Sequence, residues 1–267
     1  RKSGKGDLVN IRYMFIDEYQ DFSDLFLKLV DAIRTQNDRI EFFCVGDDWQ
    51  AINGFAGSDL QFYENFHRYF TPSCELYIST NYRSSKSIVA IGNALMDGLG
   101  KPAESYKPDN GTILLGYLDE FKPSNRENER HNGDEITPAV LRLVSKLLAT
   151  DKNVVLLSRK NTLPWYVNYD AVQSRKKNGL DAFCDLIRSY FPEELRGLIS
   201  TSTAHKYKGL QNDAVIVLDA VHRSYPLIHP DWIFMRVLGD DVEKIISEER
   251  RLFYVALTRA VDTLIIL

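Results

Sequence analysis

Two polar clusters in this sequence each stand directly after a short apolar run. Asp17-Glu18-Tyr19-Gln20-Asp21 follows Tyr13-Met14-Phe15-Ile16, and Gly46-Asp47-Asp48-Trp49-Gln50 follows Phe42-Phe43-Cys44-Val45. If the two runs are neighbouring parallel strands, both clusters lie on the rim where open α/β sheets bind their ligands. An aspartate on that rim can hold a phosphate-bound magnesium, and a glutamate beside it can polarise a water for in-line attack on a γ-phosphate. A glutamine in the second cluster can hydrogen-bond a terminal phosphate and report its loss. The first cluster also fits a plain acidic turn, with Asp21 and Ser23 capping the helix that follows.

Three further positions carry chemistry of the same kind. Phe55 offers a flat face to a nucleic-acid base or packs in the core. Asn81-Tyr82-Arg83-Ser84 places a cation and an aromatic ring where a helix opens, a natural anion site. Capping by Ser84 explains the serine there but not the arginine. In Glu248 to Ala260 an apolar stripe of Leu252, Val255 and Ala256 leads on to Arg259. An arginine in line with that stripe either pairs with a structural carboxylate or neutralises charge on a transferring phosphoryl group.

The elements that must position these residues alternate between strand and helix, as stacked βαβ units do. Tyr13–Ile16 is apolar on both faces, which predicts a central, fully buried strand. Ser23 caps a helix with Leu25, Phe26, Leu29, Val30 and Ile33 as its apolar positions. A strand at 42–45, a helix near Ser58, a strand at 76–78 and a helix from Ser84 to Gly100 continue the pattern. The polar, proline-containing stretch 101–134 predicts one strand at 113–115 with a flexible loop behind it. Beyond it come a helix over 138–148, a strand at 154–157, a helix over 180–190, strands at 198–201 and 214–218, a helix over 247–260 and a last strand at 264–267. A division into two α/β units falls just before Asn81.

Composition bounds what such a chain does. With 267 residues, 44% of them hydrophobic and 26% charged, it is globular and not disordered. No window is apolar enough to span a membrane. The net charge of −4 means that a nucleic-acid partner must be held by a local basic groove. Three widely spaced cysteines argue against a disulfide framework or structural zinc and fit a reducing, cytoplasmic setting. The absence of an initial methionine and the final Leu264-Ile265-Ile266-Leu267 read as cut ends of a longer polypeptide.

Taken together, the motifs resemble those of superfamily 1 helicases of the UvrD/Rep type. The resemblance rests on Asp17-Glu18-Tyr19-Gln20-Asp21, Gly46 to Ile52, Asn81-Tyr82-Arg83-Ser84, His205-Lys206-Tyr207-Lys208-Gly209-Leu210 and Glu248 to Ala260, in the family's order. It implies RecA-like parallel sheets flanked by helices, with 1–79 the end of the first motor domain and 80–267 the second. It implies ATP and Mg2+ as cofactors and single-stranded or partly duplex DNA as partner, alongside repair or recombination proteins and with no membrane. On the matching positions, Asp17 would ligate magnesium, Glu18 would be the catalytic base and Gln50 would sense the γ-phosphate. Tyr82 would stack on adenine, and Arg83 and Arg259 would reach the γ-phosphate. Gly209 and Gln211 fall at the expected nucleotide contact. Phe55, Asn53, His205 and Lys208 fall in DNA-contacting segments. The motor implied closes two domains around ATP and steps 3′ to 5′ along a strand.

Four departures qualify the resemblance. Asn53 and Ala56 stand where many members carry tyrosine and arginine, and Gln211 replaces a glutamate expected to meet the ribose. Between Arg83 and Thr201 the chain is too short for a large inserted accessory domain. No G-x-x-x-x-G-K-S/T phosphate loop occurs in the chain, so this piece alone should bind ATP poorly and hydrolyse almost none. Residues 1–77 should then form an incomplete domain with exposed edges. Two alternatives remain open on the residues alone: a non-enzymatic DNA-binding or scaffold subunit, and a subunit of a helicase-nuclease. Retention of Glu18, Gln50, Arg83 and Arg259 together speaks against the first.

Overall fold

In a computed structural model of the chain, residues 8–117, 120–131, 134, 136–167, 178–228 and 242–267 are described. They form two compact units that divide between Ile78 and Ser79.

The first unit is built on two parallel strands, β1 (Tyr13–Ile16) and β2 (Glu41–Cys44), joined by α1 (Asp24–Arg34). Ser23 caps α1 by accepting a hydrogen bond from the Phe26 amide. The core beneath the sheet is aromatic: Tyr19, Phe22, Phe62 and Phe70 are buried with Val30, and Phe66 stacks on Phe70. Phe62 and Phe66 reach this core from two one-turn helices, α2 (Gln61–Glu64) and α3 (Phe66–Tyr69). These replace the single helix expected near Ser58.

Two expectations for this unit are corrected. β1 is not buried on both faces: Tyr13 and Phe15 are exposed, as is Phe43 on β2, because these alternate positions share one face of the pair and that face is left uncovered among the described residues. Of the apolar positions of α1, Val30 and Ile33 are buried while Leu25, Phe26 and Leu29 face outward. The sequence period marks which positions are apolar, and packing decides which of them find cover.

The second unit holds a two-stranded ladder, β3 (Thr80–Asn81) with β4 (Glu104–Ser105), and a five-stranded parallel sheet. The sheet is ordered β5 (Thr112–Leu115), β9 (Ala260–Ile266), β8 (Asn212–Val217), β6 (Val154–Ser158), β7 (Ile199–Thr203). The central strands β6 and β8 read as nearly continuous apolar runs because helices cover both faces. Ala214, Ile216 and Leu218 join Val140, Val144, Phe183 and Ile187 in the main core, under α6 (Ile136–Leu148) and α7 (Gly179–Ser189). Their alternates Val215 and Val217 are equally buried, and α4 (Lys86–Leu95) and α9 (Val242–Leu257) pack on each other and on β8 and β9. α8 (Glu193–Arg196) is a single turn before β7.

Three more expectations change here. Leu76-Tyr77-Ile78 is exposed and not a strand; the strand begins at Thr80, where β4 offers a partner. The helix expected from Ser84 to Gly100 covers only Lys86–Leu95. The polar stretch behind β5 is not all loop: α5 (Asn125–Arg130) is fixed by a capping box between Ser124 and Glu127. The Glu127 carboxylate also pairs with Arg142 of α6, which holds its pKa down at about 2.

Candidate functional site

On the first unit the two polar clusters come together at the carboxyl ends of β1 and β2. Val45 accepts from the Tyr19 amide at 2.8 Å, which ties the first turn to the end of the second strand. Asp17 and Glu18 are exposed, and the Asp17 carboxylate accepts from the Glu18 amide at 2.9 Å. Glu18 has a left-handed backbone with φ of 51°, uncommon for a residue with a side chain and costing about 1–3 kcal/mol. Gln20, only 2% exposed, lies between the clusters. Its amide nitrogen donates to Glu18 Oε2 at 2.5 Å, and its Oε1 accepts from the Asp47 amide at 3.0 Å. Asp47 in turn caps the second turn, accepting from the Trp49 amide at 3.0 Å and from the Gln50 side chain at 2.6 Å. Glu18 and Gln50, predicted as base and phosphate sensor, are thus ends of one hydrogen-bonded chain. Sequence reasoning gave Gln20 and Asp47 no individual role. Their signal was present in the motifs, but only the fold shows which groups meet.

The segment carrying the predicted DNA contacts is anchored beside this rim. Asn53 donates to Asp21 Oδ2 at 2.8 Å, and Ser58 donates to the Asp21 carbonyl at 3.0 Å. Asp21 therefore holds the following segment, and the N-cap of α1 is Ser23. Between these anchors a short 3-10 turn, Gly54–Ala56, carries Phe55, which is 79% exposed. Core packing is excluded for Phe55.

On the second unit, residues far apart in sequence meet at the amino-terminal edge of the sheet. Arg83 Nε donates to Gln211 Oε1 at 3.0 Å. The Arg259 guanidinium donates to the carbonyls of Val255 at 3.0 Å and Leu210 at 3.2 Å, and the Asn212 amide donates to the Arg259 carbonyl at 2.9 Å. Arg259 lies beyond the end of α9 and not on it, and is 1% exposed. Gly209, with φ of 81°, makes the turn that brings Leu210 and Gln211 to this place. Tyr82 is exposed and its ring lies 4.9 Å from that of Tyr106, an exposed aromatic that sequence reasoning passed over. The expected cap is also corrected. Ser84 donates to the Ala260 carbonyl at 2.7 Å, while Asn81 accepts from the amides of Arg83 and Ser84 at 2.9 Å each.

His205 and Lys208 lie elsewhere, in the turn after β7 at the carboxyl edge of the sheet. Beside His205 stands a buried ion pair that was not foreseen: Arg159, just past β6, grips Glu249 of α9 through both arms of its guanidinium. Glu249 also accepts from the Leu227 amide at 2.9 Å. Burial, and then the nearby Arg159 charge, push the His205 pKa down, against the opposing charge of Glu249.

No group of three or more His, Cys, Asp or Glu side chains able to hold a metal occurs among the described residues. The exposed Asp17 carboxylate fits a magnesium ion whose other ligands are phosphate oxygens and water, as is usual for that ion.

Comparison with known proteins adds the family. Residues 9–71 match the UvrD/REP helicase N-terminal domain, and residues 183–267 match the UvrD-like helicase C-terminal domain. A "Probable DNA helicase" of Mycoplasma pneumoniae is 29% identical over 94% of this chain and 42% of its own length. DNA helicase IV of Escherichia coli is 28% identical over 93% of this chain and 32% of its own length. The chain thus spans less than half the length of these relatives. Among solved structures, that of PRRSV helicase aligns with a TM-score of 0.43 and 13% identity, over 94% of this chain and 34% of its own.

Proposed function

We propose that this chain, a member of the UvrD/Rep-type helicases by its two domain matches, is part of an ATP-dependent DNA helicase that moves 3′ to 5′ along single-stranded DNA. The observation that carries this function is the hydrogen-bonded rim of the first unit, where Glu18 and Gln50 are fixed with respect to one another beside Asp17. A scaffold protein has no chemical need for an exposed carboxylate held in a strained backbone. Glu18 takes the proton of the attacking water, and Gln50 hydrogen-bonds the terminal phosphate until it leaves. Asp17 would hold magnesium, which when bound would supply positive charge against the phosphates.

The second unit supplies cations. Arg83 exchanges its bond to Gln211 for a phosphate oxygen, and the Tyr82 ring, backed by Tyr106, stacks on adenine. Arg259 must release the carbonyls of Val255 and Leu210 to act on phosphate, so its engagement is coupled to movement of the 209–211 turn. Phe55 stacks on a strand base, with Asn53, His205 and Lys208 in the flanking DNA contacts. The chain has no phosphate loop, and by itself it hydrolyses almost no ATP.

Polarity is tested by unwinding duplexes that carry a single-stranded tail on one end only, using the full-length protein. Unwinding of the 3′-tailed substrate with ATP, and little of the 5′-tailed one, is expected. The reverse preference overturns the assigned direction, and no unwinding of either overturns helicase activity.

A further inference from the structure

We propose that Gln20 and Asp47 form a positioning relay that ties the orientation of Glu18 to the placement of Gln50. This rests on the function proposed above for those two residues. Gln20 is the one side chain whose two ends are both spent on it: its nitrogen on the Glu18 carboxylate and its oxygen on the Asp47 amide. The Asp47 carboxylate continues the connection to the Gln50 side chain. A primary amide is the chemistry this place needs, because it must donate at one end and accept at the other. A carboxylate cannot donate to Glu18, and an apolar side chain leaves the half-buried Asp47 amide without its acceptor.

The backbone is built to admit that amide. A side chain at Gly46 would place its Cβ 2.8 Å from Gln20 Oε1, closer than real Cβ atoms come, and a tight 3.0 Å from the Gln20 backbone nitrogen. Glycine at 46 therefore lets the carboxamide lie against the second turn. The strained backbone at Glu18 is retained in the same way: the turn is pinned by the Tyr19 amide on Val45 and by the grip of Gln20 on the glutamate side chain. Loss of the terminal phosphate at Gln50 reaches the catalytic carboxylate through three hydrogen bonds, the middle one from the Asp47 backbone amide.

The test uses the full-length protein and measures kcat and KM for ATP, with single-stranded DNA present, for wild type, Gln20→Glu and Gln20→Met. The isosteric Gln20→Glu fills the same space but has no N–H to donate to Glu18, so kcat should fall by about tenfold or more with KM unchanged. Gln20→Met should lower kcat by about tenfold or more at unchanged KM. Wild-type kcat in the isosteric Gln20→Glu overturns the relay, even if Gln20→Met fails to fold. So does a rise in KM at unchanged kcat. Absence of DNA-stimulated turnover in wild type overturns the helicase function and the relay together, and is thereby distinguished from failure of the relay alone.

Discussion

Glu18 and Phe55 are both exposed side chains on short turns. Glu18 has its backbone in a left-handed conformation that a glycine would adopt at lower cost. Phe55 exposes most of its ring while the residues on either side of its turn are tied down through Asn53 and Ser58. Removing that ring should therefore leave the melting temperature unchanged. Phe55→Ala should weaken single-strand binding by roughly 1–3 kcal/mol, the usual worth of an aromatic stacked on a base. Fluorescence titration with an oligonucleotide, beside a thermal melt, separates the outcomes. Full affinity in the variant would remove Phe55 from the DNA contact.

At the scale of elements, the strongest unforeseen link is the Arg159–Glu249 pair, which joins the end of β6 to α9 in surroundings that shield both side chains. Removing one member of such a pair leaves the other charge buried and uncompensated, a loss of about 3–5 kcal/mol. Arg159→Ala should destabilise the second unit by that amount in denaturant titration, and Arg159→Met with Glu249→Leu should recover most of it. Equal stability of the double and single variants would mean that the charges are solvated and contribute little. This pair also shows where sequence reading stops. The strands β2, β5, β6, β7 and β8 and the helices α6, α7 and α9 are legible from apolar period and from the residues that bound them. Tertiary partners are not. Nothing local distinguishes Glu249 from its neighbour Glu248, or tells that Leu25 and Leu29 of α1 stay uncovered while Val30 does not. The Leu76–Ile78 run has every local mark of a strand but has no sheet neighbour among the described residues. Candidate site residues were legible as types at motif spacing, but Arg83, Gln211 and Arg259 become neighbours only when β8 and β9 align beside the start of α4.

For the whole molecule, the two units divide the proposed labour. The first carries the acid and amide groups that act on water and phosphate, and the second carries the arginines and the exposed tyrosine pair. The chain's net charge of −4 gives no global attraction for a polyanion, so on the proposed function DNA affinity should rest on particular side chains and respond to single substitutions. The most direct test of the account is phosphate release from ATP by the full-length protein, with and without single-stranded DNA, beside Glu18→Gln. The account predicts release that DNA stimulates, lost in Glu18→Gln while ATP binding is retained. Equal release from the two proteins, or loss of ATP binding in the variant, would contradict it.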